Sequence, residues 1–146
     1  MLTNHDILLR FALALGTSAL VGFEREKTKH PAGLRTHMLV CVGSTLITLA
    51  SIQVFPGDQA RIASGIITGI GFLGAGTIFR DKNNVRGLTT AASLWAVAGV
   101  GLAIGAGAFF MALIATIAIL FILGLGKISG SKRGPKKKKK RLALRL

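Results

Sequence analysis

The sequence predicts an all-α, polytopic membrane protein of five transmembrane helices, N-terminus outside and C-terminus inside. Three observations carry this. The 146 residues are 51% hydrophobic and only 16% charged, against about a quarter charged in an ordinary soluble domain. Five apolar runs, at residues 7–23, 38–55, 62–79, 88–105 and 106–126, each reach the roughly 17–25 residues that a helix needs to cross a bilayer. The bases are unevenly spread, ten of the 19 lying within residues 127–146. Residues 1–126 therefore read as a transmembrane domain and 127–146 as a cytoplasmic polybasic tail. A soluble enzyme and a disulfide-stapled secreted domain are both excluded, Cys41 being the single cysteine.

Span one is preceded by His5 and Asp6 but by no Lys or Arg. A secretory signal wants a basic start, so the segment reads as a retained span. Arg10, in its first turns, counts with the outer side if its side chain snorkels outward. The segment before span two carries Arg25, Lys27, Lys29 and Arg35, and the one after span three carries Arg80, Lys82 and Arg86. With the tail, one side holds 17 bases and the other Arg61 and Arg10. Cytoplasmic loops hold the excess of Lys and Arg, which sets the orientation. Residues 88–126 form an uncharged run of 39. One helix of that length would extend about 58 Å, nearly twice the hydrocarbon core. It must fold back, and Gly105-Ala106-Gly107 is the natural turn. Lipid-exposed strands are excluded because spanning backbone has to satisfy its own hydrogen bonds.

Span three is dense in glycine. Gly69 to Gly74 matches G-x-G-x-x-G, but a dinucleotide site needs that string between a strand and a helix, with an acid about 20 residues on. Here it lies inside a span and leads to Thr89-Thr90-Ala91-Ala92-Ser93; no cofactor is expected. Gly65, Gly69 and Gly76 share one helix face, while Gly71 and Gly74 with Ala75 form a second. Small residues let membrane helices approach closely, so these glycines read as a helix-packing or partner surface. The alternative is that they break the helix and expose carbonyls to a polar site.

Asp58 reads as an N-cap paired with Arg61, Asp81 lies in a turn and Asp6 is terminal. Glu24 and Glu26 alone adjoin a membrane-facing element. Glu24 can serve as one Mg²⁺ ligand, or the two glutamates merely balance Arg25, Lys27 and Lys29. No acid sits at mid-membrane, which counts against a dedicated cation relay. His5, His30 and His37 lack zinc spacing, and Cys41 reads as a small buried hydrophobe. No nucleophile with an adjacent base is visible, so no enzyme is expected.

Gly33-Leu34-Arg35-Thr36 and Gly87-Leu88-Thr89-Thr90 lead into spans two and four, each with a threonine placed to cap. An offset of 54 aligns Gly22, Gly33, Leu34 and Thr36 with Gly76, Gly87, Leu88 and Thr90, as a duplicated helical hairpin would. Glu24, Arg25, Glu26, Arg35, Thr36, Arg86, Thr89 and Thr90 then gather at one cytoplasmic mouth. Basic and hydroxyl-lined, it suits an anion or acidic partner better than Mg²⁺. The run Lys136, Lys137, Lys138, Lys139, Lys140 and Arg141 follows the last span, where anionic lipid headgroups attract each base by about 1 kcal/mol. A solvated, orienting tail is the plainer reading, and nucleic acid is not expected as a partner.

GFEREKTKHPAGLRTHMLVCVGS (22–44) and RIASGIITGIGFLGAGTIFRDKNNVRGLTTAASLWAVAGVGLAIGAG (61–107) resemble, in order and spacing, the MgtC/SapB family of bacterial membrane proteins. The resemblance covers essentially residues 7–126. It implies an inner-membrane location, a role in growth at low Mg²⁺ and, in pathogens, survival inside phagocytes. It favours modulation of other membrane proteins, including the ATP synthase, over Mg²⁺ transport, which stays as the alternative with other ion transporters and channels. The bilayer, anionic headgroups, and either a second copy or another membrane protein are the partners implied. The family signature falls on Glu24, Arg25, Glu26, Gly33, Leu34, Arg35, Thr36, Gly69, Gly71, Gly74, Gly76, Arg86, Gly87, Thr89 and Thr90. Many members continue into a soluble, small-ligand-sensing domain where this sequence carries its basic tail, so it reads as a short form.

Overall fold

A computed structural model describes residues 2–81 and 84–129. Five helices form the body: α1 (Asn4–Lys27), α2 (Leu34–Val54), α3 (Gln59–Ala75), α4 (Leu88–Gly105) and α5 (Phe109–Ser129). A short antiparallel hairpin, β1 (Phe79–Asp81) with β2 (Asn84–Arg86), separates α3 from α4. Helices α1, α2, α4 and α5 are each long and apolar enough to cross a membrane. The surface is built for lipid: Leu39, Phe72, Phe110 and Met111 are among its exposed side chains, whereas buried positions include His37, Thr45 and Thr90. The tail run from Lys136 to Arg141 lies outside the described residues.

Thr3 caps α1, its Oγ1 accepting from the Asp6 N–H while the Asp6 carboxylate accepts from the Thr3 N–H. The N-cap of α2 is Gly33, which brings no side chain. Glu26 substitutes from the preceding helix, its Oε2 accepting from the Leu34 N–H at 2.9 Å. A carboxylate there also meets the positive end of the helix dipole. Asp58 does occupy the N-cap of α3, but its carboxylate goes to Arg61 rather than to backbone. The expected threonine caps are not made. Gly33 and Gly87 hold both N-caps, and Thr36, Thr89 and Thr90 fall inside the first turns. The offset of 54 thus aligns two N-cap glycines, each followed by a leucine.

Helix α3 is continuous from Gln59 to Ala75, so its glycines do not break it. It stops four residues before the apolar run does, because Thr77 and Ile78 turn back onto the Gly74 and Ala75 carbonyls. Ile78 and Phe79 extend the hydropathy pattern into the exposed hairpin. Gly87 closes this connection at φ 90, where a Cβ would also overlap the Thr77 carbonyl. The long uncharged run divides into α4, ending at Gly105, and α5, beginning at Phe109, with Gly107 at φ 84 between them.

Arg10 does not snorkel outward. It is buried, donates to the Gly105 carbonyl, and stands 5.7 Å from the centroid of the Phe109 ring. The last carbonyls of a helix have no intrahelical donor, and a cation there complements the dipole. Arg10 therefore ties α1 to the α4–α5 turn.

Candidate functional site

Helix α2 packs most extensively against α1 and α4, and the face it buries is polar. His37, Cys41, Ser44, Thr45, Thr48 and Ser51 recur at helical spacing and are all buried. In hydrocarbon such groups must find protein partners. Thr45 Oγ1 donates to the Gly101 carbonyl at 2.9 Å, while Thr48 and Ser51 donate to the carbonyls of Ser44 and Thr48 at 2.7 Å each. His37 reaches Ser93 Oγ with Nε2 at 3.0 Å. His37–Ser93 and Thr45–Gly101 share a separation of 56, so α2 and α4 run parallel in constant register.

Close approach along this seam depends on glycines other than those of α3. A Cβ on Gly105 would lie 2.6 Å from Thr48 Cβ, and one on Gly101 would lie 2.9 Å from Ser44 Cβ. On Gly22 of α1 it would meet the Leu34 Cα at 2.7 Å. On α3, Gly74 alone packs against another helix, facing Ala91 at 3.6 Å. Gly65, Gly69 and Gly71 have nothing within 4 Å of a Cβ position, and Gly76 meets only carbonyls of its own turn. Gly65 and Gly69, with Ile62, Ile66, Ile70 and Leu73, instead wall a groove of about 580 Å³. Leu39, Val40, Gly43, Ser44 and Ile47 of α2 form the opposite wall.

At the basic end of the bundle, Glu24, Arg25, Thr28, His30 and Thr89 line a cavity of about 430 Å³ with Ile122, Leu123 and Gly126 of α5. Arg25 is buried and forms an ion pair with Glu24 through Nε and Nη2. Desolvation, and then the Arg25 charge, hold the His30 imidazole below its ordinary pKa. Of the residues expected at this mouth, Glu24, Arg25 and Thr89 line the cavity. Arg35, Thr36 and Arg86 are exposed, Thr90 is buried, and Glu26 is occupied in capping α2. Among the described residues no group of three or more His, Cys, Asp or Glu side chains is placed to hold a metal.

The profile of the MgtC family matches residues 11–130, most of the chain. The chain belongs to the MgtC family. Protein MgtC of Salmonella typhimurium strain LT2 is 49% identical over 113 residues, covering 77% of this chain and 49% of that protein. Protein MgtC of Brucella abortus strain 2308 is 47% identical over 125 residues, covering 85% and 52%. An uncharacterized Haemophilus influenzae protein is 40% identical over 141 residues, covering 87% and 59%. The chain spans about half the length of the curated MgtC relatives it matches. No solved structure matches it.

The residues that carried the MgtC/SapB resemblance divide by position. Glu26, Gly33 and Gly87 shape helix starts, Glu24 and Arg25 pair beside the cavity, and Gly69 and Gly71 face outward. The polar seam of α2 is what the sequence reading missed. Its signal in the sequence is the helical spacing of His37, Cys41, Ser44, Thr45, Thr48 and Ser51, polar residues that carry no formal charge to mark them. The structure also places the Ser93 hydroxyl beside the His37 imidazole. Separated by 56 positions, the pair is invisible in sequence, and at 3% and 0% exposure it is closed to substrate.

Proposed function

We propose that this MgtC-family chain is a multi-pass inner-membrane regulator that acts on another membrane protein through helix–helix contact. Its role is adaptation to low Mg²⁺ and, in pathogens, virulence. The observation that carries this is the set of uncovered glycines on α3: Gly65 and Gly69 on one face and Gly71 on the other are exposed, with nothing within 4 Å of a Cβ position. Small residues are what membrane helices use to receive one another, and among the described residues no helix closes on these three.

In this reading α3 is a fifth span. Its 17 residues extend about 25 Å, a shortfall that local thinning and the flanking Arg61 accommodate. The basic end faces the cytoplasm, where Arg35, Thr36 and Arg86 stand exposed and Lys136 to Arg141 meet anionic headgroups. The Glu24 charge is engaged by Arg25, which favours regulation over a Mg²⁺ pathway through Glu24. Mg²⁺ flux into liposomes holding the purified chain, with Glu24→Gln as control, tests this reading. No saturable uptake is expected; saturable uptake abolished by the substitution would establish a transporter.

A further inference from the structure

Beneath the basic end, the α2–α4 seam holds a cluster with no role in the reading above. His37 is 0% exposed and Ser93 3%. Nδ1 of His37 lies 2.8 Å from the Gly33 carbonyl oxygen, Nε2 lies 3.0 Å from Ser93 Oγ, and that Oγ lies 2.8 Å from the Thr90 carbonyl oxygen. Carbonyl oxygens only accept, so Nδ1 carries a proton. The Ser93 O–H is left with two acceptors, Nε2 of His37 and the Thr90 carbonyl. Three short contacts call for three protons. A neutral imidazole and a serine supply two; an imidazolium and a serine supply three.

We propose that His37, Ser93 and the Thr90 carbonyl form a proton-binding site that locks the basic ends of α2 and α4 together. Proton uptake puts an N–H on Nε2, which donates to Ser93 Oγ. The serine O–H turns from Nε2 to the Thr90 carbonyl, and no heavy atom has to move. One chain of hydrogen bonds then runs from the N-cap of α2 to the first turn of α4. Helix α1 presents Gly22, whose Cβ position lies 3.2 Å from His37 Cβ, and Arg25, whose guanidinium is engaged by Glu24. Helix α4 presents Ser93 and Thr90, and α2 itself carries Gly33 and, one turn on, Cys41. Arg25 and Thr89 also line the cavity at the basic end.

Imidazole ¹⁵N NMR of the full chain in lipid nanodiscs tests this, with His30 as an internal reference. The titration runs from about pH 8 to about pH 5, the range in which imidazoles ordinarily change charge. The expected result is the Nδ1–H tautomer of His37 at the alkaline end and both nitrogens protonated at the acid end, with the fold intact. Ser93→Ala should no longer take up the second proton in that range, while His30 titrates as before. An Nε2–H tautomer, a His37 that stays neutral while His30 titrates, or unfolding as His37 gains its proton would each overturn the proposal. If Ser93→Ala does not fold, the wild-type titration decides alone.

Discussion

Gly101 and Gly105 of α4 and Gly65, Gly69 and Gly71 of α3 lie in neighbouring helices of similar composition, yet they do opposite things. Gly101 and Gly105 sit so close to α2 that a single methyl group would collide with it, whereas Gly65, Gly69 and Gly71 face open space. The first pair closes the molecule, and the second group is left over once the molecule is closed. Glycine content alone therefore says that a close approach is available, without saying whether the approaching helix belongs to the same chain.

Five variants sharpen or break that contrast. The largest effect is expected from Gly101→Leu, because the obstruction is the Cys41 carbonyl and the Ser44 Cβ rather than the end of a flexible side chain. Overpacking of this kind costs about 1–3 kcal/mol or more, so unfolding in detergent should come markedly earlier. Arg10→Ala comes next. It strips a charged donor from the Gly105 carbonyl and the cation from Phe109, about 1.5–3 kcal/mol by the usual scale of such bonds. Hydrogen exchange at the α4–α5 turn should rise with it.

Glu26→Ala removes the cap of α2, which is worth about 1 kcal/mol. Its exchange signature should be confined to the first turn after Gly33. The Gly65→Leu/Gly69→Leu double variant should leave the unfolding midpoint nearly unchanged, within about 0.5 kcal/mol, since nothing lies within 4 Å of either Cβ position and the side chains extend into an open groove. A large loss of stability there would dissolve the contrast. A smaller pH effect belongs to His30, whose folded-state pKa is lowered by desolvation and Arg25. Its stabilising contribution is complete above the ordinary imidazole value of 6.5 and is lost as pH falls through 6.5 toward the folded value. His30→Gln should flatten that part of a stability profile.

The helical membrane architecture was legible because hydropathy and charge report directly on solvent preference: the runs around Ala14, Cys41, Val97 and Leu123 contain the buried apolar core. Family membership was legible from ordered motifs. The end of α3 was not, because Ile78 and Phe79 are apolar in a hairpin just as they would be in a span. The inward course of Arg10 was not legible, because a charge near a span end usually finds water, and here it finds the bare carbonyl at the end of α4, three helices further along the chain. The mouth was read as one site from residues that share an end of the bundle. Side-chain direction then divides them: Thr89 lines the cavity, while Thr90, one position on, is buried.

The central claim is that the outward face of α3 receives another membrane protein. Photo-crosslinking in native membranes from a benzophenone side chain at position 69, with position 8 on α1 as the exposed control, tests it most directly. The account predicts a protein adduct of discrete mass from position 69 and lipid adducts from position 8. Lipid adducts alone from both positions would contradict it.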